Sequence, residues 1–172
     1  MEDKLIHAVE KSFKKRYNFL MVFISKSPEN TREIAAKLAG KIVKTVMRKK
    51  AIVIALEGEL GAGKTVFVKG FAKALGVKNK ITSPTFVLMR HYQVKISNFK
   101  LLVHIDAYRL ADHNDLIPLG IEEIMAKPEN IVLVEWAERV VKILPKDRIT
   151  AHIDHIDEMK RRIEITNRPH LD

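Results

Sequence analysis

The chain of 172 residues contains no cysteine. That excludes a disulfide framework, a thiol nucleophile and any zinc or iron–sulfur site built on thiolates. Aromatic residues are scarce at 6%, with a single tryptophan, and glycine and proline number only 7 and 6. Collagen-like and low-complexity classes are thereby excluded. Long apolar runs are missing too. The longest, residues 19–24 and 51–56, fall far short of the roughly 18 residues that span a bilayer. The first run follows Lys14, Lys15 and Arg16, yet it lacks the extended apolar region and small-residue cleavage site of a secretory signal, and Lys26 closes it. Glu2, Asp3 and Glu10 argue against an organelle presequence, so the chain reads as cytoplasmic. The seven histidines show neither H-x-x-x-H nor H-E-x-x-H spacing, so no zinc site is indicated.

What is present is globular: 47% hydrophobic and 30% charged residues in a length suited to one domain. A chain of this size buries roughly 70% of its unfolded surface and needs no staples. The net charge is +10. Such a basic balance suggests a nucleic-acid partner. The excess is concentrated, with 13 Lys and Arg against 5 Asp and Glu in residues 1–50, and 18 against 16 in the remainder.

Residues 1–18 read as an N-terminal extension, with a short basic helix at 4–16 or a frayed arm as alternatives, and 19–172 as one domain. Residues 19–25 read as a strand. Ser27-Pro28-Glu29 opens a helix whose buried face is Ile34, Leu38, Ile42 and Met47 and whose outer stripe is Lys37, Lys41, Lys44 and Arg48. Residues 51–56 form a continuous apolar run, as in a parallel strand covered on both faces. A loop at 58–63 and a helix at 64–75, stopped at Gly76, follow. Residues 85–93 and 100–105 read as strands joined by a turn at Ser97-Asn98, 111–117 and 121–126 as short helices, and 131–134, 148–153 and 161–166 as strands. The sum is an α/β domain with a central mixed sheet.

Gly58-Glu59-Leu60-Gly61-Ala62-Gly63-Lys64-Thr65 matches G-x-x-x-x-G-K-[ST], the P-loop. Glycines let the backbone wrap a phosphate chain with its N–H groups inward, and the following helix offers its positive end to the same anion. Lys64 is then placed to reach the β- and γ-phosphates, and the Thr65 hydroxyl to bind Mg²⁺. The alternative, a glycine-rich turn with an exposed lysine, lacks the buried strand before and the helix after that this chain supplies.

A P-loop also needs acidic metal ligation and a group that orients the nucleophile. Glu135 directly follows the strand 131–134, a Walker-B-like placement; the alternative is a surface carboxylate at a strand end. Asp106 ends the strand before it, placed to hold a metal-bound water or to accept a proton from the attacking one; the alternative is a cap on the next turn. Thr85, in Thr82-Ser83-Pro84-Thr85, sits where nucleotide switches carry a γ-phosphate-sensing threonine. On spacing alone, a proline turn into a strand is the simpler reading of that loop. Trp136 reads as a core or half-buried residue, and His104 as a packing or polar-network residue.

Taken together, Gly58–Thr65, Ser83-Pro84-Thr85, His104-Ile105-Asp106-Ala107-Tyr108-Arg109-Leu110 and Val134-Glu135-Trp136 resemble the TsaE family, small bacterial P-loop ATPases required for threonylcarbamoyl-adenosine formation on tRNA. The likeness spans about residues 25–166. It implies a P-loop NTPase-type three-layer α/β domain with a mixed parallel and antiparallel sheet. It implies ATP at Leu60, Gly61, Ala62, Gly63, Lys64, Thr65 and Val66, Mg²⁺ at Thr65 and Glu135 with Asp106 beside it, and Thr85 in a switch-like loop. Asn30 and Thr31 fall near the adenine, and one of Lys160, Arg161 or Arg162 contacts the nucleotide. The implied partners are TsaD and TsaB, with tRNA met through their complex.

The expected reaction is phosphoryl transfer to water, with Lys64, Thr85, Asp106 and Glu135 as the catalytic set and weak activity in isolation. Two other readings are a small-molecule or nucleoside kinase, for which Arg90 and Arg109 alone offer lid arginines, and a nucleotide-dependent nucleic-acid-binding switch, supported by the basic stripe.

Overall fold

The computed structural model describes residues 19–44, 49–96 and 98–167. The expectation for residues 4–16 lies outside them.

Strand β1 (Phe19–Ser25) buries Phe19, Met21 and Ser25 and exposes Leu20, Val22 and Ile24, the alternation of an edge strand covered on one face. Helix α1 (Pro28–Ile42) starts where Ser27 Oγ accepts the Asn30 N–H at 3.1 Å and Pro28 pre-sets the first turn. Its buried face carries Ile34, Ala35, Leu38, Ala39 and Ile42. The helix ends at Ile42, six residues before the expected Arg48, because the Lys44 N–H turns to Lys41 O. Lys44 therefore sits in a turn, while Met47 and Arg48 lie outside the described residues.

Strand β2 (Ile52–Glu57) is buried through Leu56, as its unbroken apolar run requires. Helix α2 (Lys64–Ala74) packs closely on α1 at Gly70, where a β-carbon would stand 2.3 Å from the Arg32 carbonyl oxygen. Strands β3 (Met89–Ile96) and β4 (Phe99–Asp106) pair antiparallel. Residues 85–88, expected as strand, form a turn instead. Both Val87 and Leu88 donate to Pro84 O, and Leu88 adopts a left-handed φ of 61°. The expected helix at 111–117 is a 3-10 helix, His113–Leu119, capped by Asp112 and containing Pro118, which lacks the N–H an α-helix needs there. Helix α3 (Ile121–Ala126), β5 (Asn130–Glu135), two short 3-10 turns (Ala137–Arg139 and Val141–Ile143), β6 (Ile149–His155) and β7 (Arg161–Asn167) complete the chain.

The seven strands form one sheet in the order β1-β7-β6-β2-β5-β4-β3. Strands β6, β2, β5 and β4 are parallel, and β1, β7 and β3 add antiparallel pairs at the two edges. Helices α1 and α2 cover one face over Ile54, Leu56, Leu102, Ile131 and Leu133. The 3-10 segments and α3 cover the other over Val53, Ala55, Val103, Ile105 and Val132. This is the three-layer α/β architecture with a mixed sheet that the sequence predicts. No helix among the described residues is long and apolar enough to cross a membrane.

Candidate functional site

Three parallel strands end level with one another. Leu56 of β2 pairs with Glu135 of β5, and Glu135 pairs with Asp106 of β4. The phosphate loop and both carboxylates thus share the carboxyl edge of the sheet, where open α/β folds bind ligands. Gly58 opens the loop at φ 129°, and a β-carbon there would stand 2.2 Å from Ile153 O, so only glycine fits.

Lys64 begins α2 and folds back onto its own loop. Its Nζ donates to Gly58 O at 2.6 Å and Glu59 O at 2.9 Å, and lies 3.6 Å from the centre of the Trp136 ring. The side chain is 5% exposed. Burial pushes the ammonium below the usual lysine range, while Glu138, Glu135 and Asp106 pull it back up. Trp136 follows Glu135 in a left-handed conformation, φ 59°, and its ring meets Tyr108 at 5.0 Å. That backbone state costs a non-glycine residue energy and persists where surrounding packing enforces it.

Glu135 is held from two sides. Thr65 Oγ1 donates to Oε2 at 2.8 Å, and His104 Nε2 stands 2.7 Å from Oε1. Against an ionised carboxylate, which only accepts, Nε2 would be the donor. His104 is fully buried, and its Nδ1 meets no hydrogen-bond partner among the described residues. Asp106 has a different escort. Ser83 Oγ and Thr85 Oγ1 approach its Oδ2 at 2.5 and 2.6 Å, and the Tyr108 N–H donates to Oδ1 at 3.0 Å. The Asp106 N–H in turn reaches Leu88 O at 3.0 Å, so the 83–88 loop is fastened to the end of β4.

Thr65, Glu135 and Asp106 offer only hard oxygens, two of the three side chains being carboxylates, and they adjoin a helix N-terminus suited to phosphate. That donor set fits Mg²⁺, which takes one or two protein carboxylates and keeps waters and phosphate oxygens for the rest of its octahedron.

The other predicted residues separate clearly. Leu60 is exposed at the loop tip and Ala62 is buried beneath it. Val66 is half-buried in the first turn of α2. Arg161 Nε donates to Ala62 O at 3.1 Å, so this arginine lies against the phosphate loop. Lys160 pairs with Asp157 at 2.9 Å and Arg162 with Glu164 at 2.5 Å. Ser25 pairs with Arg161 across β1 and β7, which brings the start of α1 to the same end of the sheet. There Asn30 holds the Lys26 N–H and Glu33, whereas Thr31 turns its hydroxyl inward to Ser25 at 2.7 Å.

Sequence reasoning assigned the site role in the 82–85 loop to Thr85, although the Ser83 hydroxyl shares Asp106 with it, and read Trp136 as a core or half-buried residue although it carries Lys64. It left His104 as a packing or polar-network residue without naming Glu135 as the partner. His104 and Asp106 stand two apart on one strand, hence on one face, and that spacing was the available signal.

The chain matches the family model described as "Threonylcarbamoyl adenosine biosynthesis protein TsaE" over residues 25–163. The tRNA threonylcarbamoyladenosine biosynthesis protein TsaE of Bacillus subtilis is 36% identical over 140 residues, which cover 81% of each chain. That of Aquifex aeolicus is 40% identical over 144 residues, covering 83% of this chain and 92% of the relative. Among solved structures, Bacillus subtilis YdiB superposes with a TM-score of 0.68 at 31% identity, covering 87% of this chain and 86% of the other.

Proposed function

The chain belongs to the TsaE family, with a role in tRNA threonylcarbamoyladenosine biosynthesis, and from that premise we propose that it binds ATP with Mg²⁺ and hydrolyses it to reset a TsaD–TsaB complex between turnovers. The observation that carries the proposal is the Thr65–Glu135 hydrogen bond, which joins the first turn of the phosphate-loop helix to the end of a buried strand.

Phosphoryl transfer asks the protein for position and charge rather than covalent chemistry. The loop amides and Lys64 receive the phosphates; to do so Lys64 gives up Gly58 O, Glu59 O and the Trp136 ring. Thr65 and Glu135 hold the metal, with Asp106 beside them. Mg²⁺, when bound, offsets charge on the phosphate oxygens. Asp106 orients the attacking water from a carboxylate that Ser83 and Thr85 keep in place, and Arg161 braces the loop through Ala62.

Phosphate release should be slow from the isolated protein and rise when TsaD and TsaB are added. Lys64→Ala should abolish that rise. Wild-type release from this variant, or failure of ATP to bind the wild type at millimolar concentration, overturns the reading.

A further inference from the structure

The near balance of charge after residue 50 conceals a sharp division. Residues 60–105 contain eight Lys and Arg and no Asp or Glu. Lys64 is spent on the phosphate loop. Four of the others stand together: Lys69 and Lys73 on α2, and Lys78 and Lys80 just beyond it, line one shallow open groove floored by Val77 and Ile81. All four are exposed, and among the described residues none is paired with a carboxylate. Lys69 and Lys73 are one helical turn apart, about 6 Å between β-carbons.

Four unpaired ammonium groups around one groove repel each other and hold a local anion atmosphere, which a polyanion displaces with gain. The lining also says which polyanion. Protein interfaces are built on aromatic, Met and Arg anchors and are depleted in lysine. This groove has no exposed aromatic or arginine, and its two apolar residues are half-buried or buried. Separated point charges on flexible stems suit the regularly spaced phosphates of a nucleic-acid backbone.

We propose that this groove binds the phosphodiester backbone of RNA directly. The contact is separate from the ATP site and does not depend on the hydrolysis proposed above.

The test uses the full chain and a fluorescent tRNA transcript, titrated between 50 and 200 mM KCl. The variant Lys69→Gln/Lys73→Gln/Lys78→Gln/Lys80→Gln should lower the slope of log affinity against log salt by about 3 and weaken binding at least tenfold at the lower salt. A matched variant, Lys37→Gln/Lys44→Gln/Lys49→Gln/Lys50→Gln, should lose less than about threefold. Equal losses in the two variants would mean diffuse attraction and overturn the proposal. So would unchanged tRNA affinity in the groove variant, including the case where it instead loses TsaD–TsaB, which would identify an acidic protein surface as the occupant. ATP binding measured on the same samples should be unaltered, which keeps a failure here distinct from failure of the ATPase reading.

Discussion

Glu135 and Asp106 end neighbouring parallel strands in exact register, yet they are held in opposite ways. Glu135 is gripped by the core. One oxygen meets a fully buried histidine on the next strand, and the other meets a threonine on the helix that begins the phosphate site. Asp106 is gripped by a loop, whose Ser83 and Thr85 hydroxyls converge on one oxygen. A carboxylate fixed by the interior keeps its place whatever is bound. One fixed by two hydroxyls on a turn is free to change partners when that turn moves. For the function proposed above, the pairing would give a metal-holding carboxylate of fixed position and a water-orienting one that responds to the nucleotide.

The most drastic way to break this contrast is to remove the ammonium on which both carboxylates act electrostatically. Lys64→Ala should weaken ATP binding by about two orders of magnitude or more, read by calorimetry, because the strongest local positive charge on the phosphates is lost. Glu135→Ala should leave metal-free nucleotide binding near wild type and lower Mg²⁺-dependent turnover by about 100-fold. Equal damage with and without Mg²⁺ would contradict its assignment to the metal.

His104 separates the two halves more finely. His104→Ala should weaken Mn²⁺ binding, followed by electron paramagnetic resonance, by about 10- to 100-fold, the range for a group that orients a metal ligand. It should also destabilise the fold, since it opens a cavity in the core. His104→Gln, which can still donate to Glu135, should recover part of the affinity. On the loop side, Ser83→Ala and Thr85→Ala should each reduce turnover while costing no more than about 1 kcal/mol of stability in urea unfolding, because each leaves Asp106 Oδ2 bonded to the other hydroxyl. If Ser83→Ala destabilises as much as His104→Ala, the loop is as rigid as the core and the contrast fails.

The smallest effect concerns pH. Lys64 loses its proton below the usual lysine value of 10.5, because burial disfavours its charge. The folded protein thus bears the cost of a buried ammonium at every pH below that lowered value, and is relieved of it as pH rises toward 10.5. ATP affinity follows the opposite course, falling as Lys64 is neutralised. An alkaline decline in ATP binding with a midpoint below 10.5 should therefore appear in wild type and vanish in Lys64→Ala.

Much of this arrangement is legible in the sequence because it rests on local rules. The apolar runs that became β2 and β5 lie between covered faces, and the glycine-lysine-threonine pattern needs only its flanking strand and helix. The losses have physical causes as well. Val87, Leu88 and Met89 carry strand propensity, but the left-handed Leu88 and the bonds to Pro84 turn the chain until Met89. The first helix stops early because a turn takes over after Ile42, although its charge periodicity continues. The grip of His104 on Glu135 depends on which strands become neighbours, and β4 and β5 are 31 residues apart at that bond. The groove lysines were hidden by arithmetic, since their positive charge is cancelled in the sum by acidic residues elsewhere in the chain.

The Lys64 ammonium lies over the ring of the only tryptophan in the chain. The protein therefore carries its own optical gauge. On the ATP binding proposed above, the cation leaves the indole for a phosphate, the ring's electrostatic surroundings change at the site of occupancy, and no other indole contributes background. The emission of the unlabelled protein becomes a direct record of how often the phosphate loop is filled.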